Sequence, residues 1–312
     1  MLKLADIVSA SERITGRVHR TPTFPSRTLG EMAGVRLHLK AELFQKTGSF
    51  KPRGVFNKLL SMSDDERGRG LVSISAGNHA ALAFGSSSLG ARATIVMPAS
   101  AVRSKVEATR AYGGEVILTE RPLMEVCGEV QVSRGLTLVH PFDDPAVMAG
   151  QGTIGLEILE DVPDLDTVIV PVGGGGLVAG IATAVKASRP EAKVIGVEPE
   201  DAAAMTRALE AGEPVDIGHP TSVADGLTAP FAGRHTLPVV QWLVDRVVLA
   251  SEEEIIQATR LVMERCKLAA EPAGAAGVAA LLSGAAEIDR ESRVVCVITG
   301  GNVGVDRLAE LL

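Results

Sequence analysis

Short, β-branched apolar runs alternate along this chain with longer stretches of helical periodicity. Residues 93–97, 115–118, 167–172, 193–198, 246–250 and 293–299 are apolar enough to predict buried strands. Helix patterns lie between them. Residues 177–188 form one and residues 252–267 another, the latter opened by Ser251 with Glu254 three positions on, the spacing of a capping box. Near the N-terminus, Leu4, Ala5, Ile7 and Val8 stand among Asp6, Glu12 and Arg13, which predicts an amphipathic helix over residues 1–14. Strands separated by helices imply parallel sheets wound by helices, an α/β fold. No internal repeat, low-complexity tract or long linker interrupts the pattern, so a division into domains must be subtle.

Composition narrows the partners. With 312 residues, 46% of them hydrophobic and 22% charged, the chain can bury a large core in one or two domains. A net charge of −7 leaves no broad basic surface for a phosphate backbone, which excludes nucleic acid as a partner. An anionic small molecule then needs a local positive site. Aromatics make up only 3%, so the chemistry must come from polar groups, glycines and a borrowed cofactor. Cys127, Cys266 and Cys296 are far apart and lack CxxC spacing, the pattern of reduced intracellular thiols packed in the core. The N-terminal pattern has no signal-peptide core, and the alanine-rich stretch 268–286 is interrupted by Glu271 and Pro272. The expectation is a soluble cytoplasmic protein with no membrane partner.

Four short constellations fall where strands end. Gly173, Gly174, Gly175 and Gly176 separate the apolar run ending at Val172 from the helix pattern starting near Leu177. Glycine lets the backbone approach an anion closely while free N–H groups at a helix start point at it. The run has neither the Lys-Ser/Thr of a P-loop nor the spacing of a dinucleotide fingerprint, so a small phosphate ester fits better than a nucleotide. Taken alone, it is equally an ordinary tight strand-to-helix loop. In residues 46–54, Lys-Thr-Gly-Ser-Phe-Lys-Pro-Arg-Gly precedes a helix pattern through Val55, Phe56, Leu59 and Leu60, and Pro52 suits its first turn. Lys51 then sits at a helix N-terminus, where the dipole and neighbouring Arg53 disfavour its charged form. Lys46, Lys58 and Arg53 read as solvated. In residues 73–80, Ser75, Gly77 and Asn78 present donors at a second helix start, either as an ordinary cap or as a carboxylate dock, with His79 satisfied by a backbone partner. Thr299 stands between a strand and Gly300-Gly301-Asn302. Ligands of wound sheets bind at such strand ends.

Residues 46–54, the Ser75-Ala76-Gly77-Asn78-His79 loop, the glycine tetrad, Glu271-Pro272-Ala273-Gly274 and Thr299-Gly300-Gly301-Asn302 together resemble the threonine/serine dehydratase family. The similarity spans essentially the whole chain. It implies a fold type II, tryptophan synthase β-like architecture of two wound parallel-sheet domains enclosing pyridoxal 5'-phosphate. The large domain would comprise residues 1–64 and 142–312, and the small one residues 65–141. By resemblance, Lys51 is the Schiff-base lysine, Phe50 flanks the cofactor ring, Asn78 pairs with its 3-hydroxyl, Gly173 to Gly176 cradle its phosphate and Thr299 pairs with its pyridine nitrogen. A neutral hydroxyl at that nitrogen limits the electron sink and favours elimination. Ser75, Ala76, Gly77, Asn78 and His79 would hold the substrate carboxylate. Lys51 would take the α-proton, the β-hydroxyl would leave, and a 2-oxo acid and ammonia would follow, in a homodimer. Related lyases and racemases, acting on serine, hydroxyaspartate, phenylserine or a diamino acid, share the cofactor residues, and Arg121 is the candidate for binding a distal carboxylate. A cofactor-binding protein without catalysis would not need Lys51.

Two positions depart from the pattern. Serine racemases of this family carry a serine where Ala76 stands, so the second proton donor is absent. The family's divalent-cation site uses an acid matching Glu198, a carbonyl at Ala202 and an acid where this chain has Ala204. Only weak binding of Mg²⁺ or Ca²⁺ is then expected, helped by Glu200 or Asp201, with these acids otherwise solvated. The chain ends soon after Thr299, which leaves no room for the regulatory domain of the longer threonine dehydratases.

Overall fold

The computed structural model describes residues 1–75 and 77–311. Ten strands are present among them: β1 (Thr23–Pro25), β2 (Arg36–Ala41), β3 (Leu71–Ile74), β4 (Ala93–Pro98), β5 (Glu115–Thr119), β6 (Thr137–Leu138), β7 (Thr167–Pro171), β8 (Lys193–Pro199), β9 (Arg246–Ala250) and β10 (Arg293–Ile298). They form a six-stranded sheet in the order β1-β2-β10-β7-β8-β9 and a four-stranded sheet in the order β5-β4-β3-β6. All pairs are parallel except β1 with β2. This is the wound α/β architecture that the strand and helix pattern predicts.

All six strand runs anticipated from the sequence are present, with ends moved by a residue at most on either side. Strand β2 was hidden because Arg36, His38 and Lys40 alternate with apolar residues as on a half-wet strand, yet Lys40 is fully buried. The capping box is formed: Ser251 Oγ accepts from the Glu254 N–H at 3.3 Å, Glu254 returns a carboxylate to the Ser251 N–H at 2.9 Å, and the helix runs Glu252–Cys266. The N-terminal helix Leu4–Ile14 buries Ile7, Ala10 and Ile14, spaced three and four apart on one face. No described helix is long and apolar enough to cross a membrane. The cysteines are unpaired.

Close helix packing places the Lys51 segment. Helix Pro145–Asp161 lies against both Lys51–Ser61 and Gly176–Ser188, and glycines make the approach possible. A Cβ on Gly150 would fall 2.4 Å from the Arg53 carbonyl oxygen, and one on Gly180 would fall 2.4 Å from that of Met148. Three helices are thereby locked to one another at backbone contact, and two of them carry the lysine and the glycine tetrad at their N-termini. Helix Pro272–Leu282, buried along its length and built from Ala, Gly, Val and Leu after its proline, covers the other face of the large sheet.

Candidate active site

The segment before Lys51 is pinned to the end of β10. Ser49 bridges Gly300, and the Phe50 N–H donates to the Thr299 carbonyl at 3.1 Å. Lys51 then opens its helix with Pro52 behind it, where a missing N–H costs nothing. Its amine donates to the Pro141 carbonyl at 3.0 Å and lies 5.1 Å from the centroid of the Phe50 ring. Burial pulls the Lys51 pKa down to about 8, opposed by the negative charge of Glu271.

Arg53 is not solvated, contrary to the sequence expectation. It is 1% exposed, and its guanidinium pairs with Glu42 at 2.8 Å and Glu157 at 2.6 Å, with further bonds to Thr153, Thr21 and the His19 carbonyl. Burial alone would lower its pKa, but Glu42 and Glu157 hold it above the ordinary arginine value. With its charge so compensated, Arg53 is not what depresses Lys51; desolvation is. Lys58 is also largely covered and pairs with Asp144 at 2.7 Å.

The glycine tetrad is packed from behind so closely that three of its four positions have no room for a side chain. Gly175 has φ +93°, and a Cβ there would lie 2.4 Å from the Met205 methyl. One on Gly174 would lie 2.3 Å from the Phe142 ring, and one on Gly176 would lie 2.8 Å from the Phe142 carbonyl. Thr236 Oγ donates to the Gly174 carbonyl at 2.8 Å and holds the turn from behind. The first amides of helix Gly176–Ser188 have no intrahelical acceptor and face the opening as an anion site.

Across the cleft, Ser75 Oγ accepts from the Gly77 N–H at 3.0 Å and donates to the Gly77 carbonyl at 2.9 Å, which curls the loop after β3. Asn78 donates to Glu271 Oε1 at 2.5 Å and accepts from Asn302 Nδ2 at 2.7 Å. His79 is buried, and the partner that faces its ring is a backbone group, the Val139 carbonyl. Burial, Lys51 and His140 hold its pKa well below the usual range against the Val139 carbonyl, which leaves it neutral. Ala76 lies outside the described residues. Phe50, Lys51, Ser75, Gly77, Asn78, His79, Gly173 to Gly176 and Thr299 all line one cavity of about 200 Å³.

The family described as "Pyridoxal-phosphate dependent enzyme" matches residues 14–300. The "L-threonine ammonia-lyase" of Thermotoga maritima is 43% identical over 317 residues, covering 100% of this chain and 78% of that protein. Among solved structures, "Structure of maize serine racemase" superposes with a TM-score of 0.94 at 38% identity, covering 99% of this chain and 96% of the other. The crystal structure of a T.th. threonine deaminase superposes with a TM-score of 0.91 at 41% identity, covering 97% of this chain and 99% of the other. This chain belongs to the pyridoxal-phosphate dependent enzyme family.

The cavity fits the cofactor of that family. Gly173 to Gly176 line it with backbone alone, as an anion site needs, and a buried amine of lowered pKa lines the same cavity. Sequence reasoning missed several members of the wall. Phe142 packs edge-on to His140, with centroids 4.6 Å apart, and closes the cradle. Burial pushes the His140 pKa down to about 4. Glu271 belongs to a motif that carried the resemblance but was given no role; it is buried, and burial pushes its pKa up to about 7 against the Asn78 hydrogen bond. Lys105 pairs with Asp225 at 2.5 Å at the cleft mouth. The signal for Phe142 was its place just after the last strand of the small sheet, where the chain returns to the large one.

Two sequence candidates are not where the chemistry would need them. Arg121 is half exposed and pairs with Glu125 and with Glu129, away from the cavity lining. Glu198 is fully buried, not solvated: its carboxylate accepts from the Met205 N–H at 2.6 Å, the Thr206 N–H at 2.8 Å and Thr206 Oγ at 2.7 Å. Ala202 and Ala204 are buried methyl groups, while Glu200 and Asp201 are exposed. No group of three His, Cys, Asp or Glu side chains able to hold a metal occurs among the described residues. The residues here do not fit a hard cation, which needs several oxygen ligands around it.

Proposed function

We propose that this enzyme is an ammonia-lyase that eliminates water from L-threonine, and also from L-serine, water then being taken up again as the resulting imine hydrolyses to ammonia and the corresponding 2-oxo acid. The observation that carries the reading is the position of Lys51: a buried amine of lowered pKa facing a glycine cradle, in a chain 43% identical to a protein named "L-threonine ammonia-lyase". A binding protein without catalysis has no use for such an amine.

When bound, pyridoxal phosphate supplies an electron-accepting ring that stabilises negative charge at the substrate Cα. The chain's own residues do the rest. Lys51 would hold the cofactor through its amine, and with that amine free beside the substrate it would take the Cα proton on Nζ. Gly173 to Gly176 would hold the cofactor phosphate with backbone N–H groups, and Phe50, Asn78 and Thr299 would hold its ring. Ser75, Ala76, Gly77, Asn78 and His79 orient the substrate carboxylate. The neutral, buried His79 adds no charge to that dock. Residues 65–141, which contain the whole four-stranded sheet, act as the small domain against 1–64 and 142–312. The family resemblance further supports a homodimer in the cytoplasm, the former open to analytical ultracentrifugation.

Elimination is favoured over racemisation because Ala76 stands at the position where the serine racemases this chain resembles carry the serine that serves as second proton donor. A distal-carboxylate substrate is disfavoured because Arg121 is engaged with two glutamates. The test is incubation of the loaded enzyme with L-threonine or L-serine, with 2-oxobutanoate, pyruvate and the D-enantiomers quantified by chromatography. Fast racemisation with little 2-oxo acid would overturn the reading. Ala76→Ser is expected to raise the D-serine fraction.

A further inference from the structure

We propose that Glu198 is a positioning residue for the phosphate cradle, its carboxylate capping the helix Ala204–Ala211 from within at the corner where the resemblance implies a divalent cation. The inference rests on the reading of Gly173 to Gly176 as the seat of the cofactor phosphate.

Three observations carry it. First, both oxygens of Glu198 are already spent. Oε1 accepts from the Met205 N–H, and Oε2 accepts from the Thr206 N–H and hydroxyl. These amides belong to the first turn of the helix, where N–H groups have no intrahelical acceptor and the positive end of the dipole favours an anion. Three protein donors thus stand where a cation would have to meet the carboxylate. Second, the other side-chain ligand of a cation site is lacking. Ala204 carries a buried methyl group where an acid would be required, and Glu200 and Asp201 are exposed.

Third, the capped turn touches the cradle. The Met205 methyl occupies the space behind Gly175, 2.4 Å from where a Cβ would stand, and Thr236 Oγ lies 2.8 Å from the same point. On the strand side, the Val197 carbonyl, one residue before Glu198, accepts from the Val172 N–H at 2.7 Å, one residue before Gly173. Glu198 thus joins the end of β8 to the helix whose first turn backs the phosphate loop. Loosening that turn withdraws the wall behind Gly175 and should weaken the hold on phosphate specifically.

The test compares binding of pyridoxal phosphate with that of pyridoxal, which lacks the phosphate, by absorbance titration of cofactor-free native protein and of Glu198→Ala, Glu198→Gln and Thr206→Val. Thr206→Val removes one donor and leaves the carboxylate in place, so it remains informative if Glu198→Ala does not fold. Glu198→Ala and Glu198→Gln are expected to weaken pyridoxal phosphate at least tenfold and pyridoxal less than twofold, with Thr206→Val between native and Glu198→Ala. The native protein should keep its affinity and its Tm in EDTA, and added Mg²⁺ or Ca²⁺ should shift neither. Loss of affinity in chelator with recovery in Mg²⁺ would overturn the proposal, as would variants that bind pyridoxal phosphate like the native protein or lose both ligands equally. A native protein that fails to discriminate pyridoxal phosphate from pyridoxal would instead remove the cradle reading on which the proposal stands.

Discussion

The Lys51 amine donates to the Pro141 carbonyl oxygen at 3.0 Å, across ninety residues of sequence. Pro141 belongs to the connection that returns from the four-stranded to the six-stranded sheet, so the Lys51 amine is held at the seam between the two. The same seam carries Phe142 and the neutral His140. A carbonyl accepts without adding a negative charge, so it orients Lys51 and leaves its lowered pKa intact.

That pKa sets a pH dependence for cofactor capture. Only the neutral amine attacks, and with a pKa of about 8 roughly a tenth of Lys51 is neutral at pH 7, against well under a thousandth of an ordinary lysine. The rate at which cofactor-free protein forms its visible absorbance with pyridoxal phosphate should rise with pH to a midpoint near 8 and level off above it. Stopped-flow absorbance, with free lysine as the control, measures this. A rate still climbing at pH 10 would show an unperturbed lysine. Lys51→Ala should abolish the borohydride-stable adduct.

Glu271 acts against this depression. Its negative charge favours the ammonium form of Lys51, so Glu271→Gln should move the capture midpoint below 8. The amide oxygen can still accept from Asn78, which keeps the local geometry. An unchanged or higher midpoint would show that Glu271 does not govern Lys51.

Gly174→Ala places a methyl group 2.3 Å from the Phe142 ring, which is itself packed against His140 and Phe231. Overpacking of this kind costs about 1–3 kcal/mol, so pyridoxal phosphate should bind about tenfold or more weakly. Adding Phe142→Leu should recover part of the loss. Equilibrium titration of the single and double variants decides between a steric cause and a general defect in folding.

Arg53→Met leaves the buried Glu42 without its cation, while Glu157 keeps Lys40 at 2.7 Å. Breaking a buried pair in this way destabilises a protein by about 3–5 kcal/mol, which urea denaturation monitored by circular dichroism would register. The pH midpoint of cofactor capture should stay near 8 in the folded fraction, because burial and not Arg53 lowers the Lys51 pKa. A midpoint that rises with the substitution would restore Arg53 as the cause.

Much of the molecule is legible in its sequence. Strands β4, β5 and β7 to β10, the capping box at Ser251, the helix start at Lys51 and the glycine turn all follow from periodicity and from chemistry acting within a few residues. Tertiary structure alone decides which charges are buried and what answers them. Arg53 meets Glu42 and Glu157, 11 and 104 residues away, and Lys40 disappears into a strand that alternates like a wet one. Asn78 meets Glu271 across 193 residues. Glu198 lies close in sequence to its partners, yet whether its carboxylate turns to the amides or to solvent depends on the helix packed beside it. Local propensity is written in neighbouring residues, but desolvation and charge compensation sum over neighbours that only the folded chain brings together.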